Sequence, residues 1–286
     1  MKTIGVLANC RKPEAAEILK RLSSKAAERG LQLVTCNEAG RLLAQSVRVS
    51  NRTFAQKIDV LLALGGDGTM LKAVRALQGR DIPVLGVNIG SLGFMTSVTQ
   101  DNLERAIDVL VKGNYTTSTR AIAECSLMRR GKKIGEYRAL NDVAIGWGNS
   151  SRVVNLELSI DGESVTSYVC DGMIVSTPTG STGHSLSAGG PILHPETPVF
   201  VINLICPHTL SNRPVVISDR SVVSVCVVET AKKLLLSVDG QEEQSIVAGD
   251  QLEIRRSVKG VRFIHLPGYS YFSVLRQKLH WRGSSW

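Results

Sequence analysis

The strand-like segment Ile58 to Leu64, wholly apolar from Val60, passes directly into Gly65-Gly66-Asp67-Gly68-Thr69, and a helical pattern begins at once, with Met70, Val74 and Leu77 on one face. A buried strand feeding a helix through a glycine-rich turn is the unit of a parallel sheet covered by helices. The flanking residues repeat the alternation. Ile4 to Ala8 reads as a buried strand, and Ala15, Ile18, Leu19, Leu22 and Ala26 recur at helical spacing, so residues from about 14 to 29 read as an amphipathic helix. Gly30 then supplies a stop signal. Leu31 to Val34 and Ile82 to Val87 read as further strands, and Leu103, Ala106, Ile107 and Leu110 mark another helix.

The pattern changes after about residue 118. Val154, Leu156, Leu158 and Ile160 alternate with polar residues, and Asp161-Gly162 leads into Val165 and Tyr168. This is a hairpin signal, because the turn needs positive φ values that Asp-Gly tolerates. Leu234 to Val238, Asp239-Gly240 and Ile246-Val247 repeat the arrangement, and Val222 to Val228 and Gln251 to Arg255 also read as strands. The expected architecture is therefore an α/β N-terminal domain, a parallel sheet with flanking helices, over residues 1–118. A β-rich, mainly antiparallel C-terminal domain follows over 119–267. The tail 268–286, with Phe272, Leu275 and Leu279 at helical spacing, is expected to complete the first domain.

Composition narrows the function classes. A chain of 286 residues with 43% hydrophobic and 21% charged residues is ordinary globular material. The net charge of +9 favours anionic ligands. The basic pairs Arg129-Arg130, Lys132-Lys133 and Arg255-Arg256 are scattered and aromatics are only 5%, which argues against nucleic acid as a partner. Six cysteines at 10, 36, 125, 170, 206 and 226 show no metal-type or redox-type close spacing and read as reduced thiols in a cytoplasmic protein. Ile4 to Ala8 is too short for a signal peptide, and Val199 to Cys206 is too short to span a bilayer, so no membrane association is expected.

Three glycines within Gly65-Gly66-Asp67-Gly68 let a ligand approach the backbone amides closely. Thr69 is placed to cap the helix. Free amides and the helix dipole at that end attract phosphate. An acid in such a cradle is repelled by the ligand unless it serves a purpose. It can accept a proton from an attacking hydroxyl, or help hold a divalent cation that neutralises the phosphates. Read alone, Asp67 also fits a plain Asp-Gly turn, and Lys72, one turn into the helix, fits either a phosphate contact or a solvated charge. No Gly-Lys-Ser/Thr follows the loop, so it is not a Walker A sequence.

A second stretch, Asp171-Gly172 through Thr179-Gly180-Ser181-Thr182-Gly183-His184-Ser185-Leu186-Ser187 to Pro191, concentrates hydroxyls and glycines after the strand-like Met173-Ile174-Val175. Such a surface can bind ribose and phosphate oxygens without adding charge, and the same composition fits a mobile loop. Asn141-Asp142 precedes the strand-like Val143-Ala144-Ile145 and could hold ribose hydroxyls or an adenine edge. Asn-Asp is also common in turns.

Taken together and in order, these residues resemble the NAD kinase family. The resemblance rests on Gly65-Gly66-Asp67-Gly68-Thr69, Asn88-Ile89-Gly90-Ser91-Leu92-Gly93-Phe94, Asn141-Asp142 and Asp171 to Pro191. Pro207-His208-Thr209-Leu210-Ser211 with Arg213-Pro214, then Asp239-Gly240-Gln241, and Leu275-Arg276 with Lys278-Leu279 and Trp281 extend it over residues 58 to 281. It implies transfer of the γ-phosphate of ATP to the 2′-hydroxyl of the adenosine ribose of NAD, with Mg²⁺ as the divalent cation, in a homodimer or homotetramer. The active site would then lie between the two domains.

By the same resemblance, Asp67 is the proton acceptor and Gly68 lines the ligand beside it, with Lys72 nearby. Asn141 and Asp142 hold NAD, Arg152 contacts the substrate and Asp171 contacts the nicotinamide end. Thr179 and the run Thr182, Gly183, His184, Ser185, Leu186 and Ser187 line the adenine and ribose pocket, with Gln241 near the same ligand. No residue is assigned as a protein metal ligand. Where the family usually has Ala-Tyr, this chain has Gly183-His184, whose imidazole offers less stacking area than a phenol ring. A lipid or sugar kinase can share the Gly-Gly-Asp-Gly loop but not the ordered downstream motifs. A non-catalytic nucleotide-binding regulator would have no use for Asp67.

Overall fold

Every residue of the strand Val60–Leu64 is buried. A strand covered on both faces reads as a continuous apolar run instead of an alternation, which is the pattern seen from Val60 onwards. The structure is a computed structural model that describes residues 1–43, 45–90, 93–147, 153–209, 211–229 and 234–281. The chain divides into two compact units, one formed by Met1–Thr119 with Val261–Trp286 and the other by Arg120–Gly260.

In the first unit, Val60–Leu64 lies in the middle of a sheet whose order is Val47–Arg48, Gln32–Thr35, Thr3–Ala8, Val60–Leu64, Val84–Asn88, Val261–His265 and Thr116–Arg120, with Val98–Thr99 added beside Val84–Asn88. The pairings of Thr3–Ala8, Val60–Leu64 and Val84–Asn88 are parallel, as the alternation requires. The helix Ala15–Glu28 buries Ala15, Ile18, Leu19, Leu22 and Ala26. The helix Leu103–Lys112 buries Leu103, Ala106, Ile107 and Leu110 and stops at Gly113, in left-handed conformation at φ 71°. Arg21 joins the two helices through a two-pronged contact with Glu104, both N···O distances being 2.7 Å.

The second unit holds two six-stranded antiparallel sheets. One runs Val215–Ser218, Val199–Ile205, Gly172–Ser176, Asp142–Trp147, Leu234–Val238 and Glu242–Ile246. The other runs Glu163–Cys170, Val154–Ile160, Val223–Glu229, Gln251–Arg256, Ala123–Arg129 and Lys132–Ala139. Alternate residues of both share one core, including Cys125, Leu127, Val143, Ile145, Leu156 and Met173, so the two sheets pack face to face. Both Asp-Gly turns carry the left-handed pair they need, Asp161 and Gly162 at φ 53° and 84°, Asp239 and Gly240 at φ 54° and 62°. A third such turn, Arg130-Gly131 at φ 49° and 71°, was hidden in the sequence by its basic neighbours.

Two details differ from expectation. The strand Val261–His265 pairs in parallel with Val84–Asn88, Phe263 opposite Val84, so the return to the first unit begins at residue 261 and not at 268. A short apolar strand carries no mark of whether its partner runs parallel or antiparallel, and its neighbours in sequence are hairpins. Thr69 does not cap the helix. The helix Asp67–Ala76 starts two residues earlier, with Gly66 in the capping position in extended conformation and no side-chain cap. Thr69 is buried within the first turn, and its N–H bonds to Gly66 O at 2.9 Å.

Candidate active site

The glycine loop is fixed by ties to the strands on either side. Gly65 N–H donates to Val87 O at 2.9 Å, Ile89 N–H donates to Gly65 O at 3.3 Å, and Asn9 N–H donates to Leu64 O at 2.9 Å. Gly65 has φ 158°, and a methyl group there would run into the Thr69 hydroxyl and lie 2.8 Å from Thr69 Cβ. The inward turn of Thr69 is thus what reserves position 65 for glycine.

Asp67 opens the helix Asp67–Ala76, where the positive end of the helix dipole favours a negative charge. Its two oxygens each accept a backbone N–H, from Phe94 to Oδ2 at 2.9 Å and from Met95 to Oδ1 at 3.0 Å. Each carboxylate oxygen keeps acceptor capacity beyond those bonds, so the group is oriented without being used up. The segment that supplies the amides is braced in turn. Gly93 N–H donates to the buried Thr96 hydroxyl at 3.1 Å, and the Lys278 ammonium from the helix Tyr271–Lys278 sits 5.8 Å over the Phe94 ring. Gly68 and Lys72 are exposed.

In the second unit, Asp239 gathers three consecutive amides. Leu140 N–H donates to Oδ2 at 3.0 Å, and Asn141 and Asp142 N–H donate to Oδ1 at 2.7 and 3.2 Å. This pins the chain where the strand Asp142–Trp147 begins. The Asn141 carbonyl accepts from Thr177 N–H at 2.8 Å and from the Ser176 hydroxyl at 3.2 Å, which ties the Asn-Asp pair to the hydroxyl-rich stretch. Gly180 closes the same junction, since a methyl group there would lie 2.5 Å from the Asn141 carbonyl carbon. Backbone faces backbone at that point, so no side chain can be accommodated. The Asp142 carboxyl is buried, and burial first, then the charge of Asp239, pushes its pKa up to about 7.

The stretch after Gly172–Ser176 is compact. Gly180–Thr182 forms a single 3₁₀ turn and His184–Ser187 a single helical turn. Thr179 is buried, Thr182, Gly183 and Leu186 are half-buried, and His184 and Ser187 are exposed. Ser185 is fully buried and its hydroxyl and carbonyl oxygens accept from Asn203 Nδ2 at 2.7 and 2.9 Å, so its side chain belongs to the scaffold. Gly190 leaves room for that pair. Asp171 is half-buried and accepts a hydrogen bond from the exposed Cys206 thiol, which raises the thiol pKa. Gln241 lies just past the Asp239-Gly240 turn, its N–H donating to Val238 O at 3.0 Å. Arg152 lies outside the described residues.

Sequence reasoning named Asn141, Asp142, Thr179 and the run Thr182 to Ser187 as ligand contacts, and the structure ties Asn141 to Ser176, Thr177 and Gly180 at the head of that stretch. Sequence reasoning gave no role to the amides of Phe94 and Met95, to Asp239 as an acceptor, or to Asn203. The Asp239 contacts span 97 to 99 residues, and no local pattern announces them. A surface cavity bounded by Met1, Lys2, Thr3, Asp59, Val60 and Tyr115 lies at the amino edge of strands whose carboxyl edge carries the glycine loop. It is therefore remote from Asp67. Among the described residues, no group of three or more His, Cys, Asp or Glu side chains could hold a metal ion, and no helix is long and apolar enough to cross a membrane.

Known proteins resemble this chain in sequence and in fold. Residues 4–115 match the sequence model of the ATP-NAD kinase N-terminal domain, and residues 140–266 match that of the ATP-NAD kinase C-terminal domain. The chain is 37% identical over 282 residues to the NAD kinase of Syntrophotalea carbinolica, covering 98% of this chain and 99% of the relative. It is 38% identical over 281 residues to that of Geotalea daltonii, at the same coverage. Among solved structures, a yeast NADH kinase complexed with NADH superposes with a TM-score of 0.92 at 24% identity, covering 99% of this chain and 89% of the other. An NAD kinase from Archaeoglobus fulgidus in complex with ATP gives 0.78 at 24% identity, covering 99% of this chain and all of the other, and both likenesses speak to the fold. With both domain models matched and full-length relatives well above 30% identity, the chain belongs to the NAD kinase family.

Proposed function

We propose that the protein transfers the γ-phosphoryl group of ATP to the 2′-hydroxyl of the adenosine ribose of NAD, giving NADP and ADP. The observation that carries this reading is the Asp67 carboxylate, held by two backbone amides at the start of a helix in a chain of this family. As the hydroxyl oxygen bonds to the γ-phosphorus, its proton passes to Asp67, and the bond from that phosphorus to the bridging oxygen breaks with its electron pair going to ADP. The helix-start amides and the glycines provide the phosphate surface.

Asn141 and Asp142, with Thr179 and the turn Gly180–Thr182, supply the polar surface for the dinucleotide, and Thr182 to Ser187, Asp171 and Gln241 extend it. An Asp142 carboxyl that keeps its proton near neutrality can donate as well as accept a hydrogen bond. Mg²⁺ would be held mainly by the substrate phosphates, with the Asp67 carboxylate beside them. When bound it neutralises phosphate charge. All six cysteines are free thiols, which supports a cytoplasmic setting. A homodimer or homotetramer is proposed from the family resemblance.

Purified protein incubated with ATP, Mg²⁺ and NAD, coupled to an NADP-specific dehydrogenase, tests the reading. NADP production is expected. Tight NAD binding without NADP would replace it with that of a nucleotide-binding regulator. Parallel reactions with NADH and with polyphosphate define the acceptor and donor.

A further inference from the structure

The loop joining the strand Thr3–Ala8 to the helix Ala15–Glu28 carries Arg11 and Lys12. It starts at Asn9, whose N–H is bonded to Leu64 O, the last residue before the glycines. Lys12 is half-buried. Its Nζ lies 3.3 Å from the position that a methyl group on Gly90 would take. Gly90 has φ 94° and follows Ile89, whose N–H is bonded to Gly65 O.

The strand order makes this placement informative. Val60–Leu64 lies between Thr3–Ala8 and Val84–Asn88, so the loops after the two outer strands flank the glycine loop after the middle one. Adjacent strands are about 4.8 Å apart. A lysine rooted in the first of those outer loops whose ammonium stands at the second therefore reaches over the carboxyl ends of all three strands. Gly90 leaves it the room. Among the described residues, no carboxylate pairs with Lys12. A lysine ammonium without a carboxylate partner is free to make a charge-assisted contact with an arriving anion. The positive end of the dipole of the helix Asp67–Ala76 favours the same anion.

We propose that Lys12 is a phosphate-binding residue of this enzyme, its ammonium closing the glycine loop over the triphosphate of the donor nucleotide. The assignment rests on the phosphotransferase reading above. It makes Gly90 a spacer for the lysine tip and leaves Arg11, exposed on the same loop, without a ligand role.

Calorimetric titration of the full chain with Mg²⁺-ATP in the absence of NAD, for wild type, Lys12→Met, Lys12→Arg and Arg11→Met, tests it. Lys12→Met should weaken ATP binding about tenfold, the worth of one charge-assisted contact. Its KM for ATP should rise in parallel while KM for NAD stays within about twofold of wild type. Lys12→Arg should keep most of the affinity, and Arg11→Met should match wild type. Binding of adenosine, which lacks phosphates, should be unaffected in every variant. Should Lys12→Met melt well below wild type, Lys12→Gln takes its place in the same titration. Unchanged ATP affinity without the lysine, or an equal loss in Arg11→Met, overturns the assignment. A wild type that binds ATP in a Lys12-dependent way yet makes no NADP would leave this assignment standing and overturn the proposed acceptor.

Discussion

The carboxylate of Asp67 occupies the space that a side chain at position 93 would need. A methyl group on Gly93 would lie 2.7 Å from Asp67 Cγ and 3.0 Å from Oδ2. The close approach is what lets the next two residues, Phe94 and Met95, turn their amides onto the carboxylate. Gly93→Ala is therefore expected to keep the base but displace it. A misplacement of about 1 Å costs about 100-fold in kcat. KM for NAD should move little, because Asn141, Asp142 and the Gly180–Thr182 turn are untouched. The coupled NADP assay measures both, and near-normal turnover in Gly93→Ala would show that Asp67 acts from another position.

Asp67→Asn should remove proton acceptance while keeping one oxygen for the amide pair. The expected fall in kcat is about 100- to 10,000-fold, the range for losing a positioned base. The second amide then faces an NH₂ group, so a small drop in melting temperature is also expected. NAD binding followed by calorimetry should survive. Turnover close to wild type would reassign the base.

How much of this was legible beforehand depends on the range of the interaction. The helix Ala15–Glu28 and both Asp-Gly hairpins follow from spacing and from residues that tolerate positive φ, which are local properties. The strand–glycine–helix unit around Asp67 is local too. What was not legible is held by partners far away in sequence. The amides for Asp67 come from 27 and 28 residues downstream, and Asp239 reads only as a turn residue until the strands Asp142–Trp147 and Leu234–Val238 pair. Thr69 looked like a cap because hydroxyls commonly cap helices, and only the buried space above Gly65 shows why it turns inward.

The buried Asp142 carboxyl gives a pH signature. In the folded chain it holds its proton up to about pH 7, whereas an ordinary aspartate releases it near 3.8. Between those values the folded state binds more protons than the unfolded state, so this group makes stability fall as pH rises, and the loss is complete above about pH 7. Asp142→Asn imitates the protonated form at every pH. Its melting temperature should match wild type near pH 4 and exceed it increasingly up to about pH 7, then hold a constant lead. A lead that does not change with pH would show that Asp142 is ionised throughout.

His184 offers a way to separate binding from chemistry. It is exposed at the start of the turn His184–Ser187, two residues past the half-buried Thr182. Its imidazole stands where the family pattern usually has a tyrosine. A ring that stacks on a nucleotide contributes through its contact area, and a phenol ring offers more than an imidazole. If His184 borders the dinucleotide surface, His184→Tyr should lower KM for NAD by about 3- to 10-fold. KM for ATP should stay constant, because the donor is assigned to the glycine loop of the other unit. The melting temperature should also stay constant, because the side chain is exposed. His184→Ala should raise KM for NAD several-fold with kcat unaltered, the mark of an interaction made equally in the ground and transition states. Steady-state kinetics with NAD and ATP varied in turn checks the kinetic expectations, and a thermal melt checks the stability. An alanine variant with unchanged KM for NAD would remove His184 from the binding surface and leave the half-buried Thr182 and Gly183, with Asn141, to form that side of it.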